Sequence, residues 1–168
     1  MTTSKLHTLP QLTGLMLIAT ACLLLVGGRA EAQVCGVAQL APVVKGEVWQ
    51  GYGEANPLFT GSDAVGSRGI VYRASANALV TAPIAGQVEY AGPVENLGQV
   101  VILNIGGDRR VVLTGLSGLR VRTGDRIAQG GRLGATAPAH GEAAFVYMEL
   151  RCGEEPVNPT PVKTVAMQ

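Results

Sequence analysis

Glycine sets the first limit on this fold. Twenty-three glycines punctuate 168 residues, and from Val48 onward they cut the apolar text into runs too short for amphipathic helices. Gly69-Ile70-Val71-Tyr72-Arg73 is one such run, and Ala78-Leu79-Val80-Thr81, closed by Ala82-Pro83, is another. Gln87-Val88-Glu89-Tyr90 alternates polar and apolar residues, as a half-buried strand does. Gln99 to Ile105 and Arg110 to Leu113 flank Gly106-Gly107-Asp108, a hairpin signal. Ala144 to Leu150 is the last strong strand, ahead of Gly153 and a tail carrying Pro156, Pro159 and Pro161. The best helical window, Asp125 to Gln129, is a single turn. The pattern predicts an all-β fold, an antiparallel sandwich or barrel-sandwich hybrid. Aromatics make up only 4% of the chain, so its core must come from Val, Leu, Ile and Ala.

The N-terminus carries a different signal. Lys5 precedes an apolar run from Leu12 to Val26, and Ala30-Glu31-Ala32 places small residues where signal peptidase reads. This is the pattern of a secretory signal peptide. An apolar run of about fifteen residues falls short of the roughly twenty that span a bilayer. Residues 1–32 are therefore expected to be removed, leaving a secreted or periplasmic chain with no membrane attachment. Residues 33–66 are expected to form an N-terminal arm and first strand, 67–163 the main β-domain and 164–168 a short tail.

Loss of Lys5, Arg29 and Glu31 leaves eleven charges of each sign. A neutral chain lacks the surplus of Lys and Arg that nucleic acid demands. Cys22 also departs, leaving Cys35 and Cys152. In an oxidising compartment the pair most simply forms one disulfide, with two unrelated thiols as the alternative. The loop so closed would contribute roughly 4–5 kcal/mol at most.

Two segments are distinctive in combination. Val80 to Gly92 presents V-x-A-P-x-x-G-x-V-x-Y-A-G, and Leu116 to Gly130 presents L-S-x-L-x-V-x-x-G-D-x-I-x-x-G. With Met148-Glu149-Leu150-Arg151 and Pro156-Val157-Asn158-Pro159, they resemble the β-domain of the lysostaphin-type, or LytM, zinc endopeptidases that cut peptidoglycan cross-links. The resemblance covers roughly Val43 to Val162. The same V-x-x-G-D-x-I-x-x-G text is also similar to biotinyl and lipoyl carrier hairpins. Carriers need a lysine at a hairpin tip, and the expected mature chain has only Lys45 and Lys163, both near its ends.

The resemblance implies where chemistry would lie. In that family zinc is held by the His and Asp of H-x-x-x-D and by the second His of H-x-H. A further His, in Y-A-H-L, works with the first His of H-x-H on the attacking water. These motifs fall on Ser67 to Val71, Leu113-Thr114-Gly115-Leu116 and Phe145-Val146-Tyr147, with none of the expected His or Asp residues. Independently of any family, a catalytic zinc needs about three N, S or O ligands. The expected mature chain has a single histidine, His140, with Glu142 beside it in a Pro/Gly loop. No cofactor is expected, and no peptidase activity.

Non-catalytic members of this kind, the EnvC-type murein hydrolase activators, share the fold and switch on cell-wall amidases. The chain resembles them in Pro42 to Val48 and in Gly51-Tyr52-Gly53-Glu54. The resemblance implies an amidase or other murein hydrolase as partner; a passive module that binds peptidoglycan or scaffolds an envelope complex is the alternative. Strand parity adds a mechanism. If Val146, Met148 and Leu150 face the core, then Phe145, Tyr147 and Glu149 face the former catalytic groove. With Ser67, Val71 and Gly115 they would form an apolar groove with an acidic flank, suited to an amphipathic segment.

Overall fold

The computed structural model describes residues 39–55, 66–137 and 143–161. Contacts divide the chain into Met1–Val34 and Cys35–Gln168, and every described residue belongs to the second unit. The expected signal peptide, Cys35, His140, Glu142 and the tail 164–168 lie outside the described residues.

Among the described residues twelve strands follow in chain order. They are β1 (Gln39–Leu40), β2 (Gly46–Gln50), β3 (Ile70–Ser75), β4 (Leu79–Thr81), β5 (Gly86–Val94) and β6 (Gly98–Gly106), then β7 (Arg109–Ser117), β8 (Arg126–Ile127), β9 (Arg132–Thr136), β10 (Ala143–Cys152), β11 (Glu155–Val157) and β12 (Thr160–Pro161). There is no helix among the described residues, and none long and apolar enough to cross a membrane. The all-β expectation holds. One antiparallel sheet runs β2-β3-β10-β7-β6-β5-β8; β11 continues beside β10, and β4 joins through β9 to β7. β1 and β12 form a separate parallel pair.

Local chemistry explains these boundaries. The β6–β7 hairpin turns through Gly107 (φ 61°) and Asp108 (φ 57°), a pair of left-handed residues whose twist matches the flanking strands. The one-turn helical window at Asp125–Gln129 instead contains β8, paired with Gly86 and Gln87 of β5. Pairing across the sheet satisfies its backbone groups, whereas one helical turn would leave most of its own unmet.

Alternation then builds the core. Ile70, Tyr72 and Ala74 of β3 point inward with Val101 and Leu103 of β6, Val111 and Leu113 of β7, and Val146, Met148 and Leu150 of β10. Val80 and Leu133, from the β4–β9 branch, enter the same cluster. The segment before β2, read from sequence as a loose arm, contributes Leu40, Val43 and Val44 to this core. Its backbone is tied to β4 and the turn after it, with Thr81 N–H donating to Val43 at 2.8 Å and Ala41 N–H to Pro83 at 3.0 Å.

The two motif segments meet. Val88 N–H donates to the Asp125 carbonyl and Gly124 N–H to the Val88 carbonyl, both at 2.8 Å. Gly130 N–H donates to Ala82, and Ala82 N–H to Gly131, also at 2.8 Å. Their glycines and the Asp125 turn therefore serve the closure of the fold.

Val146 is fully buried at the centre of β10. Val146→Asp places a carboxylate there without a partner, a change that costs several kcal/mol against a total stability of about 5–15 kcal/mol. The expected result is loss of the cooperative thermal transition by circular dichroism; a folded, cooperatively melting variant would contradict the inward assignment.

Candidate functional site

Insertion of β10 between β3 and β7 brings together the three segments singled out by the family motifs. Tyr147 pairs with Val71 on one side and with Thr114 on the other. Gly115 follows at a left-handed backbone position (φ 79°), and a Cβ there would lie 2.2 Å from the Phe145 carbonyl oxygen. Only glycine lets β7 pass β10 this closely. Ser67 sits where the β2–β3 connection closes: its hydroxyl donates to the Gly69 carbonyl at 2.8 Å, and its carbonyl accepts from Gly53 N–H at 2.7 Å.

The outer face of β10 carries Phe145, Tyr147, Glu149 and Arg151, opposite the buried set. Gly69 lies beneath the Tyr147 ring, since a Cβ there would stand 2.8 Å from the ring carbons Cε2 and Cζ. The Tyr147 hydroxyl donates to Glu149 Oε2 at 2.5 Å, and Arg151 donates to Glu149 Oε1 at 2.6 Å. Arg151 also donates to the Glu154 carbonyl. Burial, then the hydrogen bond and charge of Glu149, push the Tyr147 phenol well above its ordinary pKa. The phenol is a fixed donor, not a free base.

This corrects the expected acidic flank. Glu149 is only 8% exposed, and its two oxygens are committed to Tyr147 and Arg151. A carboxylate taken out of water needs such partners, and here they come from i−2 and i+2 on the same strand face. Tyr147 is likewise half-buried and bonded, so its removal disturbs structure as well as surface.

Phe145 is different. It is 46% exposed and meets Trp49 edge-on, with ring centroids 5.8 Å apart. The Arg73 guanidinium lies over Trp49 at 5.5 Å and pairs with Glu47 at 3.2 Å. Sequence reasoning missed Trp49 and Arg73. The signal available was register: β2 bulges between Val48 and Gln50, and the chain's single tryptophan lies at that irregularity. One cleft runs along Lys45, Glu47 and Arg73, beside the Trp49 ring, and another along Asn77, Arg120 and Arg132.

Comparison with known proteins accords with this architecture. No curated relative matches the chain. Among solved structures, Csd3 of Helicobacter pylori is similar with a TM-score of 0.60 and 19% identity, over 72% of this chain and 33% of Csd3. The catalytic domain of the antimicrobial peptidase lysostaphin from Staphylococcus simulans aligns with a TM-score of 0.56 and 19% identity, over 68% of this chain and 89% of that domain. A chain of the SpoIIQ–SpoIIIAH pore-forming complex aligns with a TM-score of 0.56 and 21% identity, over 79% of this chain and 99% of its own length. The chain thus spans about a third of Csd3, and these likenesses concern the fold. The peptidase family M23 profile matches residues 65–159, the stretch that holds β3 to β11 with Ser67, Val71, Gly115 and the outer row of β10, and the chain belongs to that family.

Proposed function

We propose that the chain is a non-catalytic, exported member of family M23 that binds and regulates a cell-wall hydrolase, acting like an amidase activator in peptidoglycan remodelling. The observation that carries the proposal is the occupation of the central position by Tyr147, its hydroxyl fixed on Glu149. The residues at the family's ligand positions do not fit a zinc ion. Val71 offers no side-chain donor, the Ser67 hydroxyl is engaged with Gly69, and the Tyr147 phenol is held protonated. Zinc prefers imidazole, thiolate or carboxylate at about 2.0–2.3 Å. No group of three or more His, Cys, Asp or Glu residues is clustered among the described residues.

The face that replaces the metal site suits a protein partner. Trp49 and Phe145 are exposed aromatics of the type that anchors interfaces, and Arg73 adds a cation for the acidic rim of an amphipathic segment. The fold is shared with a chain of a complex named for two proteins. Export through residues 1–32 puts the domain where murein hydrolases work. Cys152 is disulfide-bonded, which accords with an oxidising compartment, and we assign its partner as Cys35.

Three measurements test this. The purified protein is expected to hold no stoichiometric zinc and to leave peptidoglycan uncut; one zinc per chain with chelator-sensitive hydrolysis would sink the proposal. Trp49→Ala and Phe145→Ala should keep the circular dichroism of the parent while weakening stimulation of a purified amidase by roughly thirtyfold in affinity, since an aromatic anchor is worth about 2 kcal/mol. Full stimulation by the folded double variant would place the partner elsewhere, and an absence of stimulation by the parent would favour the passive module. Cys35→Ser should lower the melting temperature by roughly 10 °C; an unchanged melting temperature would reject the Cys35–Cys152 pairing.

A further inference from the structure

A second, chemically distinct site lies on the β4–β9 branch. A cleft of about 320 Å³ opens there, with Arg120 and Arg132 on its walls beside Asn77, Leu79 and Ser117. Arg120 N–H donates to the Leu133 carbonyl at 2.8 Å, so the two arginines spring from adjacent backbone positions. Neither makes an ion pair among the described residues, whereas Arg73, Arg110 and Arg151 all do. No carboxylate lines the cleft. Two like charges on the walls of one cleft repel, and a shared anion between them would relieve that repulsion.

Hydrogen bonds also tie the walls of the cleft to the core. Thr136 is fully buried beneath it. Its hydroxyl donates to the Ser75 carbonyl at 2.8 Å and accepts from Ala78 N–H at 3.0 Å, which fixes the turn bearing Asn77. Ser117 donates to the Thr136 carbonyl at 2.8 Å, which fixes the opposite wall. Gly134 lets the two walls approach, for a Cβ there would stand 2.8 Å from the Ser117 carbonyl oxygen and 3.4 Å from Leu119. Asn77 holds a left-handed conformation (φ 57°), one that asparagine tolerates better than most residues. Beside these polar groups Leu79 remains 46% exposed.

We infer that this cleft binds a peptide carboxylate, with Arg120 and Arg132 clasping the oxygens and Leu79 receiving the neighbouring apolar side chain. Guanidinium groups match the planar carboxylate in two-point geometry. The exposed leucine beside them favours an anion attached to an apolar residue over a bare inorganic one. The cleft shares no lining residue with the Trp49–Phe145 surface, and its test reads binding alone, so either proposal can fail without the other.

The experiment is a titration of the ¹⁵N-labelled protein followed by NMR. The probes are acetyl-alanyl-leucine with a free C-terminal carboxylate, the same dipeptide as its C-terminal amide, and inorganic phosphate. The acid should shift the Gly118 and Gly134 amides and the Nε–H signals of Arg120 and Arg132, while the amide should not. Arg120→Gln and Arg132→Gln should each weaken binding of the acid about tenfold, whereas Arg122→Gln, outside the cleft, should bind as the parent does. Equal shifts from acid and amide would overturn the assignment, as would no shift at millimolar concentration. Displacement of the acid by an equal concentration of phosphate would overturn the peptide specificity.

Discussion

The register of β10 is the constraint on which the rest of the molecule depends. This strand is the last long one in sequence, yet it lies between β3 and β7 near the middle of the sheet. Val146, Met148 and Leu150 are buried to within 1%, and together they stake several kcal/mol on one alignment. A slip by one residue would bury Phe145, Tyr147 and Glu149 and expose all three aliphatic side chains. The outer row is therefore dictated by the inner one. The site inherits its geometry from the core, and no loop is needed to place Tyr147 between Val71 and Thr114.

That outer row stays ordered because its polar groups answer one another. Glu149 sits between Tyr147 and Arg151 on a single strand face, so the carboxylate meets a neutral donor on one side and a cation on the other. Replacing Arg151 would leave the buried charge with the phenol alone, and removal of one partner from such a pair commonly costs 3–5 kcal/mol. The exposed pairs Arg73–Glu47 and Arg110–Glu89 are screened by solvent and contribute little to stability. Arg73 matters through its place over the Trp49 ring more than through its ion pair.

Strand identity was legible because it is encoded locally. Gly107-Asp108 specifies a hairpin turn whatever lies beyond it, and the alternation in Ala144 to Leu150 specifies which side chains share a face. What escaped was encoded only by assembly. Leu40, Val43 and Val44 lie around Pro42 with no period to mark them, and they became core because β4 offers them backbone partners. The commitment of Glu149 required Arg151 to fold back along its own strand, while Trp49 reached Phe145 through a bulge in β2. The arginine cleft is the extreme case. Arg120 and Arg132 are apart in sequence, and it is the bond from Arg120 N–H to Leu133 that makes them neighbours.

Family membership and chemistry occupy different residues in this fold. The glycines and turns of Val80 to Gly92 and Leu116 to Gly130 hydrogen-bond to one another, from Ala82 with Gly130 and Gly131 to Val88 with Gly124 and Asp125. They serve the geometry of closure, whatever the domain does. The positions that would hold a metal lie on β10 and its neighbours, where a side chain can change without loosening that closure, provided the inner row is kept. Tyr147 illustrates the freedom: its ring rests on Gly69 and its hydroxyl finds Glu149, so the sheet tolerates a phenol between Val71 and Thr114 with every polar atom of that side chain satisfied. A sheet built this way lets the side chains of its outer row vary at little cost to the fold, and for that reason function has to be argued from the outer row of β10 and from the arginine cleft rather than from the motifs that identify the family.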